Sequence, residues 1–132
     1  MGRIAALRYR PRGPIPPVSH VPQSEVTVAI GPVNYSNQGT LWAQALVERF
    51  PHVATSTFAV DVPGGFHFPS DLIVPVDFYQ RSRKWQEAQA TSVSSFSHVL
   101  VEAEEPLFGR YMDRSPEKER LFLHARGVSV AY

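Results

Sequence analysis

The chain has 132 residues, 43% of them hydrophobic, and a formal net charge of +1. This length suffices for one domain, and the lack of cysteine excludes disulfide bonds and thiolate metal sites. No apolar run reaches the ~18 residues of a membrane span, and the N-terminus lacks the apolar core of a signal peptide. We therefore expect a cytoplasmic protein.

Residues 1–24 are predicted to form a disordered arm that is basic and rich in proline. All 12 acidic residues of the chain lie beyond it. Prolines at this density block helices and remove the N–H donors that strands need. The remainder of the chain is mildly acidic, which argues against a nucleic-acid partner.

The first predicted element is a strand over residues 26–30, followed by a polar loop and a helix over residues 41–50, with Thr40 as its N-cap. The strand is apolar on both faces, as expected of an inner parallel strand. A strand, a glycine-containing loop and a helix open many α/β sheets, and such a loop lies where these sheets bind ligands. The predicted ligand-binding residues in this loop are Gly31, Asn34, Ser36, Asn37 and Gly39.

The short, uncharged side chains of this loop suit hydrogen bonding to a hydroxylated or phosphorylated ligand at a helix N-terminus. The spacing of Gly31 and Gly39 does not match the dinucleotide pattern, and the loop lacks the lysine of a P-loop. Both NAD and ATP are therefore disfavoured. The alternative is purely structural, with Gly31 making a tight turn and Gly39 permitting close packing of the helix.

The rest of the chain continues to alternate strands with helices. A second strand precedes a turn at Gly64 and Gly65, which are also predicted to bind the ligand. Pro75 restricts a short apolar piece to a sheet edge. The next helix carries an apolar stripe that includes Trp85 and Ala88, with Gln89 on its polar face. The predicted ranges are strands at 52–62, 72–76, 97–103 and 128–132, and helical segments at 82–96, 106–112 and about 115–126.

This alternation predicts an α/β fold over residues 25–132. We expect an open, mostly parallel, Rossmann-like sheet of about four strands with helices on both faces. The last strand ends at Tyr132, the final residue, where a functional loop is normally found. The chain is therefore expected to be the truncated front part of a longer protein.

Three residues are candidates for acid–base chemistry. Asp61 and Glu102 follow predicted strands, and a carboxylate at that edge can bind sugar hydroxyls or act as a general base. His67 lies in the loop after the paired glycines. The structural alternatives are a helix cap or solvated charge for the acids and a packing role for the histidine. The histidines lack metal-ligand spacing, so no metal is expected.

Three segments, residues 31–39, 62–66 and 99–104, resemble the amino-terminal part of bacterial GT-B-type glycosyltransferase-like proteins. The resemblance implies two Rossmann-like domains facing a cleft, of which the first mainly binds the acceptor. It places the loop 34–39 at that cleft, with Asp61 and Glu102 near it. It also implies no transfer by this domain alone, and no cofactor beyond a nucleotide-sugar donor held by a second domain.

Two alternatives stay open. One is a self-standing Rossmann-like module that binds a nucleotide or a small polar ligand without chemistry. The other is a non-catalytic interaction protein that recruits a partner domain or forms a homo-oligomer through its sheet edge and its proline-rich arm.

Overall fold

The computed structural model describes residues 11–62, 64 and 68–132, with the side chain of Tyr35 outside this description. These residues form five strands, β1 Val26–Gly31, β2 Val53–Asp61, β3 Leu72–Pro75, β4 His98–Val101 and β5 Ser129–Ala131. The helices are α1 Gln38–Arg49, α2 Val76–Arg81, α3 Arg83–Val93 and α4 Pro116–His124, and a 3-10 helix at Tyr35–Asn37 precedes α1.

All neighbouring strands pair in parallel, in the order β3-β2-β1-β4-β5. The predicted Rossmann-like α/β fold is confirmed. The sheet has one strand more than the four expected, because the short apolar piece forms β3. This strand lies at the edge of the sheet, where Pro75 can end it without breaking an inner ladder.

The two faces of the sheet are covered unequally. On one face, Val28 and Ile30 of β1 pack with Ala43 of α1. On the other face, a larger core contains Ala29 of β1 together with Trp85 of α3. Because alternate residues of a strand point to opposite faces, the run of apolar residues in β1 serves both cores.

Helix α3 differs from its predicted form. It begins at Arg83, after Ser82, whose Oγ accepts a hydrogen bond from the N–H of Trp85 at 3.2 Å. Trp85 is fully buried as predicted, but Ala88 is exposed and Gln89 is 0% exposed. The placement of Gln89 on a solvent-facing side is therefore wrong.

Gln89 is buried because the N-terminal arm packs against α3. Val18 and Val21 pack against the larger core, and Ser19 is buried against α3. For residues 18–21 the structure thus differs from the predicted disorder, whereas residues 1–10 lie outside the described residues. Within the described part of the chain, no helix has the length and apolar character needed to span a membrane.

Candidate functional site

The strand order places a topological switch point at the carboxyl ends of β1 and β4. The chain leaves β1 toward β2 on one side, whereas β4 and β5 lie on the other side. Such a switch point is where open parallel sheets bind ligands, since the two connecting loops diverge there. The loop after β1 and Glu102, the residue directly after β4, both lie at this edge.

Backbone contacts hold the two loops together. The N–H of Glu102 donates to the carbonyl of Gly31 at 2.9 Å, which extends the ladder between β1 and β4 by one residue. Gly31 must be glycine, because a Cβ there would lie 2.6 Å from the ring of Phe58. The chain then turns through a cis peptide bond between Gly31 and Pro32.

Asn34 organises the loop. Its Oδ1 accepts hydrogen bonds from the N–H of Gly39 at 2.8 Å and of Thr40 at 3.4 Å. Its Nδ2 donates to Oγ1 of Thr40 at 3.1 Å and to the carbonyl of Pro69 at 3.2 Å. The side chain therefore ties the β1 loop to the start of α1 and to the segment before β3.

Because of this network, the start of α1 is less available to a ligand than the sequence predicted. The N-cap of α1 is Asn37, with φ 61° and no side-chain cap, so the prediction of Thr40 as N-cap is wrong. Asn34 caps the helix from outside, and it occupies two of the N–H groups that would otherwise bind an anion.

The Glu102 side chain also makes the start of α1 less suited to an anion. It is 6% exposed, and its Oε2 lies 3.4 Å from the position that a Cβ on Gly39 would take. A carboxylate interacts favourably with the positive end of a helix dipole. With an acidic side chain already beside the helix N-terminus, the edge disfavours a phosphate and favours groups that donate hydrogen bonds.

A cleft of about 440 Å³ opens on the other flank of α1, between this helix, β2 and the segment before β3. Asp71 forms part of its wall and accepts hydrogen bonds from the N–H and Oγ1 of Thr57, at 2.9 and 3.3 Å. None of the residues lining this cleft carries a positive charge. They are Thr40, Ala43, Gln44, Val47, Glu48, Thr55, Thr57, Pro69, Ser70 and Asp71.

The structure brings some of the predicted site residues together. The Asn34 loop, Gly39 and Glu102 meet at one edge. Asp61 ends β2 at the same edge, but β1 lies between β2 and β4, so the backbones of Asp61 and Glu102 are roughly 10 Å apart by strand spacing. The two acids are therefore not a close pair.

The remaining predicted residues have diverse positions. Ser36 is exposed, Asn37 is half-buried, and both have left-handed backbone with φ of 51° and 61°. Gly64 also has a positive φ of 77° and open space around it. Gly65 and His67 lie outside the described residues, so their assignments stay predictions.

Sequence reasoning missed the segment before β3. Thr40 donates through Oγ1 to the carbonyl of Pro69 at 2.8 Å, and Ser70 and Asp71 line the cleft. In the sequence, only the polar composition of the residues ahead of Leu72 indicated a site there. The contact with Asn34 spans 35 positions, so no local pattern could reveal it.

No group of three or more potential metal ligands occurs among the described residues. Comparison of the chain with known protein families, with curated proteins and with solved structures finds no match.

Proposed function

We propose that this chain is a Rossmann-like binding module for an uncharged, hydroxyl-rich small molecule, such as a sugar or a nucleoside. The observation that carries the proposal is the 440 Å³ cleft beside α1, whose lining has two carboxylates, several hydroxyls and no cation. Its volume lies within the ~300–1,000 Å³ typical of small-molecule sites.

The chemistry of the lining supports this ligand class. Hydroxyls from Thr40 and Ser70 and the carboxylate of Asp71 offer acceptors for a polyol, while Ala43 and Val47 suit the C–H faces of a ring. A phosphate would meet Glu48 and Asp71 without a compensating positive side chain. Burying a charge without a partner is costly, so phosphorylated ligands are disfavoured.

The test is ligand-observed NMR with methyl glucoside, uridine and inorganic phosphate as probes. We expect the glucoside or uridine to bind and phosphate not to bind. Gln44→Trp places a large ring in the cleft from an exposed helix position and should abolish binding, whereas Ala45→Trp, one residue further and outside the lining, should retain it. Binding of phosphate alone, or equal binding by both variants, contradicts the proposal.

A narrower proposal is that the module is the acceptor side of a glycosyltransferase-like protein. It is favoured by the meeting of two of the resembling segments, 31–39 and 99–104, through Gly31 and Glu102. In that function the Glu102 carboxylate, at the switch point, would act as the general base for an acceptor hydroxyl.

This narrower proposal has its own test. We expect the reading frame to continue past Tyr132 into a second α/β domain, and the complete protein to transfer a sugar. In that protein, Glu102→Gln should lower kcat at least about 100-fold, the usual scale for a general base. Exposed Glu104→Gln is the control. A stop codon after Tyr132, or an active Glu102→Gln protein, overturns the catalytic role and leaves ligand binding to be judged separately.

A further inference from the structure

Helix α3 carries three side chains that form hydrogen bonds with the N-terminal arm. The indole Nε1 of Trp85 donates to the carbonyl of Pro17 at 3.1 Å. Gln89 accepts from the N–H of Ser19 at 2.7 Å and donates to its Oγ at 2.8 Å. Ser92 donates through Oγ to the carbonyl of Ser19.

These side chains form one continuous surface. Positions 85, 89 and 92 lie on the same side of a helix, because they are four and three residues apart. All four hydrogen bonds involve side chains of α3, and in three of them the partner is a backbone group of the arm. The surface therefore recognises an extended backbone, together with one small hydroxyl side chain.

The occupant is the docked segment, residues 16–21. It contains two prolines, and Val18 and Val21 pack against the larger core while His20 faces solvent. Recognition of proline-containing extended segments is a common way of binding peptides, since such segments lose little conformational freedom when they bind.

We propose that Trp85, Gln89 and Ser92 form a peptide-recognition site that holds the docked segment in cis and accepts the same segment from a second copy of the chain. Reciprocal exchange would preserve all four hydrogen bonds, so the two arrangements would differ mainly in the entropy of association, as in domain swapping. The hinge would be residues 22–25, which connect the docked segment to β1 and include Pro22.

A complementation experiment tests this site. A full chain with Ser19→Pro has an intact site but lacks the N–H and hydroxyl that Gln89 binds. A full chain with Gln89→Leu has an intact segment but a defective site. Neither should self-associate, whereas a mixture should give a 1:1 complex, seen as a doubling of sedimenting mass. The double variant should form no complex with either chain.

A second measurement covers the case in which a variant fails to fold. A synthetic peptide with the sequence of residues 13–24 is added to the wild-type chain, and amide exchange at Ser19 is followed by NMR. Displacement of the cis segment should accelerate exchange as peptide is added, while a peptide with proline in place of Ser19 should not. Two folded variants that never associate, or Ser19 exchange that is unaffected by peptide, would show binding in cis only and overturn the proposal.

Discussion

Two buried acidic residues, Glu119 and Glu102, have different partners in this structure. Glu119 of α4 is 1% exposed, and its two oxygens accept hydrogen bonds from the N–H groups of Leu107 and Phe108, at 2.8 and 2.9 Å. Glu102 is 6% exposed and lies beside the start of α1 at the switch point.

The comparison shows why burial alone does not identify a site. Both oxygens of Glu119 accept hydrogen bonds from backbone N–H groups of the loop between β4 and α4, so its role is structural. Glu102 lies at the switch point, beside the start of α1, which is where open parallel sheets commonly bind ligands. Substitutions should therefore affect stability more at Glu119 than at Glu102.

The largest expected effect is that of Glu119→Ala. Two buried N–H groups lose their acceptor, and each unsatisfied donor costs about 1–3 kcal/mol, so we expect the free energy of unfolding to fall by about 2–4 kcal/mol in urea titrations. The control is exposed Glu117→Ala on the same helical turn, which should cost below about 1 kcal/mol. Equal losses would contradict the structural role of Glu119.

A dependence of stability on pH should follow from the same residue. Burial raises the pKa of Glu119 from 4.5 to about 7, against the opposing effect of the two backbone donors. The folded state thus holds this proton more tightly than the unfolded state, so the stabilisation is complete below about pH 4.5 and is lost as the pH rises to about 7. The loss amounts to at most about 3–4 kcal/mol, since one pKa unit is about 1.4 kcal/mol.

The measurement is urea denaturation of the wild-type chain and of Glu119→Gln from pH 4.5 to pH 8. The amide does not titrate, so the variant should show a flatter profile. Identical profiles would assign the pH dependence to other groups.

Asn34→Ala tests the region around Glu102. The change removes the acceptor for the N–H of Gly39 and the donor to Pro69, so the free energy of unfolding should fall by about 1–2 kcal/mol. Ser36→Ala, at an exposed position between β1 and α1, should have little effect. Thermal and urea denaturation of both variants would show whether Asn34 joins the loops, and equal effects would contradict that role.

The smallest effect on stability is expected of Glu102→Gln. The amide keeps an acceptor oxygen and nearly the same volume, and the interaction of an acidic side chain with a helix N-terminus is typically worth below about 1 kcal/mol. A loss as large as that of Glu119→Ala, in the same urea titration, would make the two carboxylates equivalent and remove the contrast between them.

Much of the fold was predictable because it is encoded over short distances. The run of apolar residues in β1, the polar loop after it and the proline in β3 each indicate a local conformation and a place in the sheet. Because carboxyl ends of parallel strands share an edge, the meeting of the Asn34 loop with Glu102 also followed from the strand assignments.

The burial of particular polar side chains was decided by tertiary structure alone. Gln89 and Glu119 both occupy polar positions in helical patterns, yet Gln89 is covered by a segment 70 positions away and Glu119 by a loop that supplies two donors. The capping of α1 by Asn34 belongs to the same class. Helical and strand periodicity arises within a few residues, whereas the desolvation of a side chain depends on which distant segment packs over it.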